Sequence, residues 1–241
     1  MLHDLENIKN DGFTVLEKIY SKIEIDRIVE LIEATDKSNL QFRKTKDLFA
    51  VRGFLQQIPG ISELVFNDNL KSLIKDLFSD NYFVVKSIYF DKPEDSNWFV
   101  AWHQDLSISV NKRNDLLGYG SWTVKLDKYG VQPPVELLKD NFTIRIHLDS
   151  TDKNNGALKV IPGSHLKEIY RVESIDWKTN LETICNVGAG GVMVMRPLLM
   201  HASDRSTSKR KRRVIHIEFS KIDLPESIGW AEKQLVNFNN N

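Results

Sequence analysis

The chain has almost no cysteine and no long apolar run. Cys185 is its single cysteine, so no disulfide can form within the chain, and we expect a reducing, cytoplasmic location. The N-terminal residues 1–13 are polar from the start, and no uninterrupted apolar stretch approaches the roughly 18 residues of a spanning helix. We therefore expect neither a targeting signal nor a membrane partner.

The sequence also lacks an excess of charge of either sign. Lys and Arg total 33, Asp and Glu total 33, and the formal net charge is zero. Global charge is therefore no argument for a nucleic-acid or anionic-membrane partner. Internal repeats, low-complexity tracts and Gly/Ser-rich linkers are absent as well, so we expect residues 1–241 to form a single domain.

The sequence changes its pattern near Tyr82. Before it, Ser21 and Glu24 form a capping box ahead of an amphipathic helix, and a second helix is predicted over Asn69–Phe78. After it, about seven or eight short segments rich in β-branched and aromatic residues alternate with turn signals and are predicted strands. The proline pair in Gly130–Glu136 favours a loop there. This order predicts a mainly β sandwich or barrel with flanking helices on one outer face.

Two His-x-Asp motifs are candidates for a metal site, His103-x-Asp105 and His147-x-Asp149. Residues i and i+2 of a strand point to the same side, so either pair would direct an imidazole and a carboxylate into one space. Asp149 runs into a turn-forming segment, where a carboxylate normally caps backbone amides. Asp105 is followed by an alternating apolar segment and is expected to lie within a strand. The first pair is therefore the predicted metal site.

A further histidine would complete a face of two histidines and one carboxylate. Such a face suits iron(II) with open positions for a chelating ligand and dioxygen, whereas structural zinc usually takes four ligands with thiolates among them. The candidates are His147, His165, His201 and His216. His165 follows Pro-Gly-Ser and is expected in a surface loop. His201 ends an apolar run, and the basic cluster behind it favours this residue.

The basic run Lys209–Arg213 has two interpretations for its first part, a nuclear-localisation or nucleic-acid patch and a solvated hairpin tip. Its last two arginines lead into the alternating strand Val214–Phe219. The alternation places Arg213 on the face covered by helices and Arg212 on the interior side with His216. An inward arginine costs free energy unless it is paired. Its planar guanidinium matches a carboxylate, such as the far carboxylate of 2-oxoglutarate.

These segments together resemble the phytanoyl-CoA dioxygenase family of iron(II)/2-oxoglutarate oxygenases. The resemblance covers most of the chain and rests on Asp11–Leu16, Trp102–Leu106, Asn155–His165, His201-x-Ser203 and Arg212-Arg213. It implies a double-stranded β-helix of the jelly-roll, cupin-like type, with the N-terminal helices packed on the barrel.

The resemblance also implies a site and a reaction. It implies iron(II) ligands at His103, Asp105 and His201, 2-oxoglutarate ligands at Arg212 and Ser203, and Gln104 near the co-substrate. The implied reaction hydroxylates a small-molecule substrate with O2, converts 2-oxoglutarate to succinate and carbon dioxide, and takes ascorbate as reductant in vitro. Halogenating relatives need the carboxylate position for halide, so the presence of Asp105 favours hydroxylation or another oxidation over halogenation.

Arg145 and His147 are the predicted substrate residues, because their strand would point polar groups inward. Many members of the family carry an aromatic residue at the position of Arg145, and its predicted contact is with an anionic substrate or with the co-substrate. A structural pairing of Arg145 with an acid is an equal alternative. Two other functions also stay open, a metal-binding cupin of different chemistry and a non-catalytic sensor with a relict site. The substrate and the oligomeric state are beyond the sequence.

Overall fold

The computed structural model describes residues 1–36, 42–44, 49–93, 99–125 and 128–238, with the backbone alone for 42–44 and 125. The helices are α1 (Leu2–Asn10), α2 (Lys22–Ala34), α3 (Phe54–Gln57), α4 (Ile61–Val65), α5 (Asp68–Leu77) and α6 (Val135–Asp140), with short 3-10 helices at Ser164–Lys167 and Val172–Ser174. The strands are β1 (Phe13–Leu16), β2 (Phe42–Lys44), β3 (Phe49–Arg52), β4 (Phe83–Lys92), β5 (Val100–His103), β6 (Ile108–Val110), β7 (Gly120–Lys125), β8 (Lys128–Gln132), β9 (Phe142–His147), β10 (Leu158–Val160), β11 (Thr183–Ile184), β12 (Val192–Met195), β13 (His201–Ser203), β14 (Arg212–Ser220) and β15 (Gln234–Leu235).

The strands form three antiparallel sheets. The large sheet has the order β1-β12-β9-β14-β4-β3-β2, and β15 also pairs with β4. The small sheet has the order β11-β10-β13-β5, and a third sheet has the order β6-β8-β7. Neighbours in space are far apart in sequence, as when β14 pairs with both β9 and β4. The mainly β architecture with flanking helices is as predicted.

The helices cover one face of the large sheet. Ile28 of α2 and Ile74 of α5 are fully buried in one cluster with Ile144 of β9 and Ile217 of β14. Between these layers, the ring of Phe142 stacks on that of Phe78 with centroids 3.7 Å apart. Burial of such apolar surface is the main stabilising contribution to the fold. It also fixes which face of β9 and β14 is turned away from the helices, and that face holds the polar residues.

Both predicted helices are confirmed. The capping box of α2 is complete, because the Glu24 amide donates to Ser21 Oγ at 3.3 Å and the Ser21 amide donates to the Glu24 carboxylate at 2.7 Å. The second helix is α5, which begins one residue earlier than predicted because the Asn67 side chain caps it. Among the described residues no helix is long and apolar enough to cross a membrane.

The prediction of a loop over Gly130–Glu136 is wrong for most of these residues. Residues up to Gln132 belong to β8, which pairs with both β6 and β7, and α6 begins at Val135. The two prolines stand between these elements, where neither interrupts a sheet hydrogen bond. The two prolines therefore mark the end of β8, and they do not prevent the residues before them from forming a strand.

Candidate metal and co-substrate site

One cavity lies between the large and the small sheet, with a volume of about 150 Å³. The large sheet contributes Lys86, Ile88, Phe90, Arg145, Arg212, His216 and Glu218, and the small sheet and the segment after it contribute Val100, His103, Asp105, Leu158, His201 and Ser203. The polar members alternate along their strands, as side chains on one face of a sheet must. The cavity is therefore the inner space between two sheets, lined by ionisable side chains.

His103, Asp105 and His201 meet in this cavity. His103 ends β5 and His201 begins β13, and the two residues are direct partners in the small sheet. The Asp105 carboxylate lies 3.9 Å from His103 Nε2 and 3.8 Å from His201 Nε2. One ligand atom from each residue falls within 4.8 Å of the others, which is a spacing that could hold a metal ion.

Asp105 reaches this position from outside a strand, so its predicted placement within a strand is wrong. β5 ends at His103 and β6 begins at Ile108. Between them the Asp105 amide donates to the carbonyl of Pro197 at 2.9 Å, and the chain turns away from the small sheet. This contact with a distant loop could not be predicted from the alternation of the local sequence.

Both imidazoles are oriented by their own chain. His103 Nδ1 lies 2.8 Å from the Ala101 carbonyl, and His201 Nδ1 lies 2.9 Å from the Leu199 carbonyl. A carbonyl only accepts, so each Nδ1 carries the proton and each Nε2 presents its lone pair to the cavity. Asp105 Oδ2 is buried and accepts no hydrogen bond from the described residues. This donor set fits iron(II), which is bound by two histidines and one carboxylate with positions left open.

The charge states also suit a cation. Burial by itself would raise the pKa of Asp105, but His201, His216 and Lys86 nearby lower it below the ordinary value, so this carboxylate is ionised. Burial lowers the pKa of His201 to about 4, and the imidazole is therefore neutral at physiological pH. An ionised carboxylate and a neutral imidazole are the forms in which these groups bind metals.

A second cluster contains Asp105, His216 and Glu218, but the side chains of His216 and Glu218 are already engaged. His216 Nε2 lies 3.1 Å from Glu218 Oε1, and His216 Nδ1 lies 3.0 Å from a nitrogen of Arg145. Glu218 also forms an ion pair with Lys86 at 2.7 Å. Metal binding there would break these contacts, so the first cluster is the better metal site.

Arg212 and Ser203 lie together at the start of β14 and the end of β13. Both are buried, and the Arg212 guanidinium contacts the carbonyl of Gly156 and lies 3.4 Å from Ser203 Oγ. Ser203 Oγ donates to the same Gly156 carbonyl at 2.8 Å. Burial lowers the pKa of Arg212 to about 9, with a contribution from Arg145, so the guanidinium is still charged at neutral pH. No carboxylate of the described residues forms an ion pair with it.

Gly156 is the residue that allows this close approach. Its φ of +78° is a left-handed conformation, and a Cβ there would lie 2.7 Å from the Asp204 carbonyl oxygen and 3.3 Å from Ser203 Oγ. Only glycine adopts such a conformation without strain and leaves room for these neighbours. The Asn155-Gly156 turn therefore shapes the Arg212 site through the backbone.

Arg213 points to the other face of β14, as the alternation predicts. Its guanidinium makes two hydrogen bonds to the Asp149 carboxylate, at 2.8 and 2.9 Å, and it lies 3.6 Å from Glu33 of α2. This contact with the helix layer confirms the predicted phase of the strand. It also uses the Asp149 carboxylate, which is thereby withdrawn from any metal site with His147.

The structure does not bring Gln104 and His147 into the cavity lining. Gln104 points away from its two neighbours, and its amide contacts the backbone of Glu168, Tyr170 and Leu198. His147 is buried and its Nδ1 lies 3.0 Å from the Thr151 hydroxyl. The predicted roles of Gln104 near the co-substrate and of His147 at the substrate stay predictions.

Two ionisable cavity residues were missed from the sequence, Lys86 and Glu218. Glu218 shares the parity of Arg212 and His216 along β14, so the alternation contained a signal for it. Lys86 is separated from Glu218 by 132 positions, and nothing local indicates their ion pair. Lys86 was missed because paired strands can be far apart in the sequence, so local patterns do not show which residues they bring together.

Comparisons with known proteins agree with this geometry. The family model described as phytanoyl-CoA dioxygenase (PhyH) matches residues 8–214. A probable alpha-ketoglutarate-dependent hypophosphite dioxygenase from Stutzerimonas stutzeri is 23% identical over 90% of this chain and 78% of its own length.

Solved structures match the fold over most of the chain. EctD from S. alaskensis, with 2-oxoglutarate and 5-hydroxyectoine, has a TM-score of 0.70 and 18% identity over 91% of this chain and 76% of its own. HygX from Streptomyces hygroscopicus, with nickel and 2-oxoglutarate, has a TM-score of 0.64 and 15% identity over 91% of this chain and 87% of its own. The predicted double-stranded β-helix, or jelly-roll, fold is confirmed by these matches.

Proposed function

The chain belongs to the phytanoyl-CoA dioxygenase (PhyH) family and is an iron(II)- and 2-oxoglutarate-dependent dioxygenase, and we propose that it hydroxylates a small-molecule metabolite in the cavity between its two sheets. In this proposal His103, Asp105 and His201 hold the iron. The observation that carries the proposal is that both Nε2 atoms and an unpaired carboxylate oxygen converge there. Iron(II), when bound, supplies the positions where 2-oxoglutarate and O2 meet and the oxidation that yields succinate, carbon dioxide and a hydroxylated product.

Arg212 and Ser203 are proposed to bind the carboxylate of 2-oxoglutarate that is remote from the iron. The guanidinium presents two parallel N–H donors, and the Gly156 carbonyl and Ser203 Oγ hold it in place. Solvent screens a buried contact between charges less than an exposed one. The contact between Arg212 and the carboxylate would therefore contribute more to the binding free energy than a surface ion pair does. The ligand would also neutralise a cation that has no ion pair with an acid in the described part of the chain.

The same arrangement argues against the two alternative functions. A cupin of different chemistry would retain the three metal ligands, but it would have no use for a buried, unpaired arginine beside Ser203. A sensor with a relict site would not need the Nδ1 contacts that orient His103 and His201. Both alternatives predict that 2-oxoglutarate is not consumed.

We also propose that nucleic acid is not a partner and that the protein is cytoplasmic. Arg210, in the basic run, pairs with Asp152 at 2.7 Å, which fits the hairpin-tip interpretation and reduces the charge offered to phosphate. The buried, unpaired thiol of Cys185 suits a reducing compartment.

The test of the proposed function is a titration with 2-oxoglutarate under anaerobic conditions in the presence of iron(II). Binding should produce the iron-to-keto-acid charge-transfer absorption, and admission of O2 should release succinate. A metabolite screen with ascorbate, including hypophosphite because of the Stutzerimonas stutzeri relative, then seeks compounds that raise succinate above the uncoupled background. Absence of the absorption, or of any succinate, would contradict the proposal.

A further inference from the structure

Arg145 is a buried cation in the cavity that the iron and 2-oxoglutarate do not require. It belongs to β9 and is 8% exposed. Its Nε is buried and donates to no acceptor among the described residues, and its terminal nitrogen contacts His216 Nδ1 at 3.0 Å. No ion pair joins it to an acid in the part of the chain that the structure describes. Burying a charge without a counter-charge costs free energy, so Arg145 is more readily explained by a ligand than by the fold.

The neighbours of Arg145 orient it but do not neutralise it. Lys86 pairs with Glu218 at 2.7 Å, and Glu218 lies 3.1 Å from His216 Nε2. Because the carboxylate of Glu218 only accepts, His216 Nε2 carries the proton and its Nδ1 accepts from Arg145. The Glu218 carboxylate is therefore shared by Lys86 and the imidazole of His216. Among the described residues Arg145 donates only to that neutral imidazole, and Asp105 acts on it at longer range without forming an ion pair.

The charges of the cavity leave room for one more anion. Among the described residues three cations line it, Lys86, Arg145 and Arg212, against the two carboxylates of Asp105 and Glu218. Burial lowers the pKa of Arg145 to about 10, which leaves it protonated at neutral pH. The charges of iron(II) and of the 2-oxoglutarate dianion cancel each other, so the loaded cavity keeps one positive charge.

The co-substrate has no carboxylate left for Arg145. One end of 2-oxoglutarate is used to chelate the iron, and the other is assigned to Arg212 with Ser203. The unused guanidinium therefore faces the space in which a substrate must lie to reach the iron. A planar guanidinium prefers the paired oxygens of an oxyanion.

We propose that Arg145 binds the substrate and that the substrate is a compact oxyanion carrying one negative charge. The inference rests on the proposed function, because the charge balance counts the iron and 2-oxoglutarate. The small size follows because the substrate must share a cavity of about 150 Å³ with the iron and 2-oxoglutarate, whereas sites for drug-sized ligands measure roughly 300–1,000 Å³. Arg145 would hold the anionic end and direct the rest of the molecule to the iron.

The experiment measures the binding of acetate to the anaerobic complex with iron(II) and 2-oxoglutarate, through its perturbation of the charge-transfer absorption. Acetamide, which has the same shape and no charge, is the control ligand. Acetate should bind and acetamide should not. Arg145→Gln should weaken acetate binding about ten- to hundredfold, the effect of one charge-assisted contact, and leave the affinity for 2-oxoglutarate unchanged.

Two further variants separate charge, geometry and folding. Arg145→Lys keeps the charge and loses the two-pronged geometry, so its acetate affinity should fall between those of the wild type and Arg145→Gln. If the glutamine variant does not fold, the lysine variant alone tests whether Arg145 binds acetate. Arg210→Gln removes an arginine outside the cavity that pairs with Asp152 and should change neither affinity. Removing an uncompensated buried charge should leave the thermal midpoint of the metal-free Arg145→Gln protein unchanged or raise it.

Unchanged acetate affinity in both Arg145 variants would overturn the inference. A loss of 2-oxoglutarate affinity of the same size would overturn it too, because Arg145 would then belong to the co-substrate. The proposed function fails differently, through the absence of the charge-transfer absorption in the wild type. In that case the metal-free Arg212→Gln protein tests Arg145 alone. Acetate should raise its thermal midpoint, and adding Arg145→Gln should abolish the rise; no such difference would overturn the inference.

Discussion

At the residue scale, the two histidines of the candidate metal site have matching environments. His103 and His201 each donate Nδ1 to a carbonyl two residues earlier in the chain, so each ring is positioned before any metal arrives. This local device explains why two residues separated by almost a hundred positions can present equivalent nitrogens. Asp105 Oδ2 has no such partner among the described residues, which leaves it free to bind a cation.

The metal ligands should be individually essential for iron binding. His103→Ala, Asp105→Asn and His201→Ala should each abolish iron-dependent succinate formation and leave the far-ultraviolet circular dichroism spectrum unchanged, because a three-ligand site loses its geometry with any one member. Iron content after anaerobic loading is the direct measurement. His147→Ala is the control and should retain iron, since His147 does not line the cavity. Iron retained by all three variants and lost in the control would refute the assignment.

The two adjacent arginines of β14 should separate co-substrate binding from stability. Arg212→Lys keeps the charge but loses the two-pronged geometry, so 2-oxoglutarate affinity should fall by about 1–3 kcal/mol, or one to two decades. Ser203→Ala should weaken binding in the same direction and by less. Arg213→Lys breaks the paired contact with Asp149 and should lower the free energy of unfolding by about 1 kcal/mol without changing 2-oxoglutarate affinity. The reverse pattern would mean that the two faces of β14 are interchanged.

At the element scale, two consecutive strands from different sheets and one turn hold the co-substrate end of the cavity. β13 supplies Ser203, β14 supplies Arg212, and the turn before β10 supplies the Gly156 carbonyl that both contact. The tight turn therefore acts through its backbone, and any distortion of it should move the guanidinium. Asn155–His165 is one of the segments that carry the family resemblance, but nothing in the sequence indicated this contact.

Gly156→Ala should damage both the turn and the site. The substitution forces a left-handed φ on alanine, at a cost of about 1–2 kcal/mol, and adds the clash with the Asp204 carbonyl. Gly60→Ala is a matched control, because Gly60 has the same φ of +78° and nothing within 4 Å of its added Cβ. Both variants should lose thermal stability, but only Gly156→Ala should also weaken 2-oxoglutarate binding. Equal affinities in the two variants would show that the turn does not position Arg212.

At the scale of the whole molecule, ligand binding should stabilise the fold by mass action. A ligand that binds only the native protein adds about 2.7 kcal/mol at a hundred times its dissociation constant. Cys185 is a natural reporter of unfolding, because it is 3% exposed and burial raises its pKa to about 12. Its thiol should therefore react with an alkylating reagent only when the surrounding structure opens.

Labelling of Cys185 should slow when a redox-inert divalent metal and 2-oxoglutarate are added together. If the reagent reacts only with the globally unfolded protein, the factor by which labelling slows corresponds to the increase in the free energy of unfolding. The Arg212→Lys variant should show less retardation at the same 2-oxoglutarate concentration, which ties the effect to the site. A labelling rate that is independent of both ligands would indicate local opening of the short edge strand β11 next to Cys185.

The sequence alone determined much of this protein through local physical rules. Helix periodicity and a capping box located α2 and α5, and the alternation of β14 placed Arg212 inside and Arg213 outside. The spacing of His103 and Asp105 and the resemblance to the phytanoyl-CoA dioxygenase family indicated the fold and the chemistry. Each of these signals depends on neighbours within a few residues or on a recognisable motif, so one sequence is enough to read them.

The tertiary structure decided what depends on contacts between distant segments. It placed Asp105 in the cavity from outside a strand, through the Pro197 carbonyl, and it turned Gln104 towards the backbone around Glu168. It also joined Lys86 to Glu218 across 132 positions and so left Arg145 without an ion pair to an acid among the described residues. These contacts arise from strand pairing and loop closure, whose partners are chosen by the packing of the whole chain and not by local sequence.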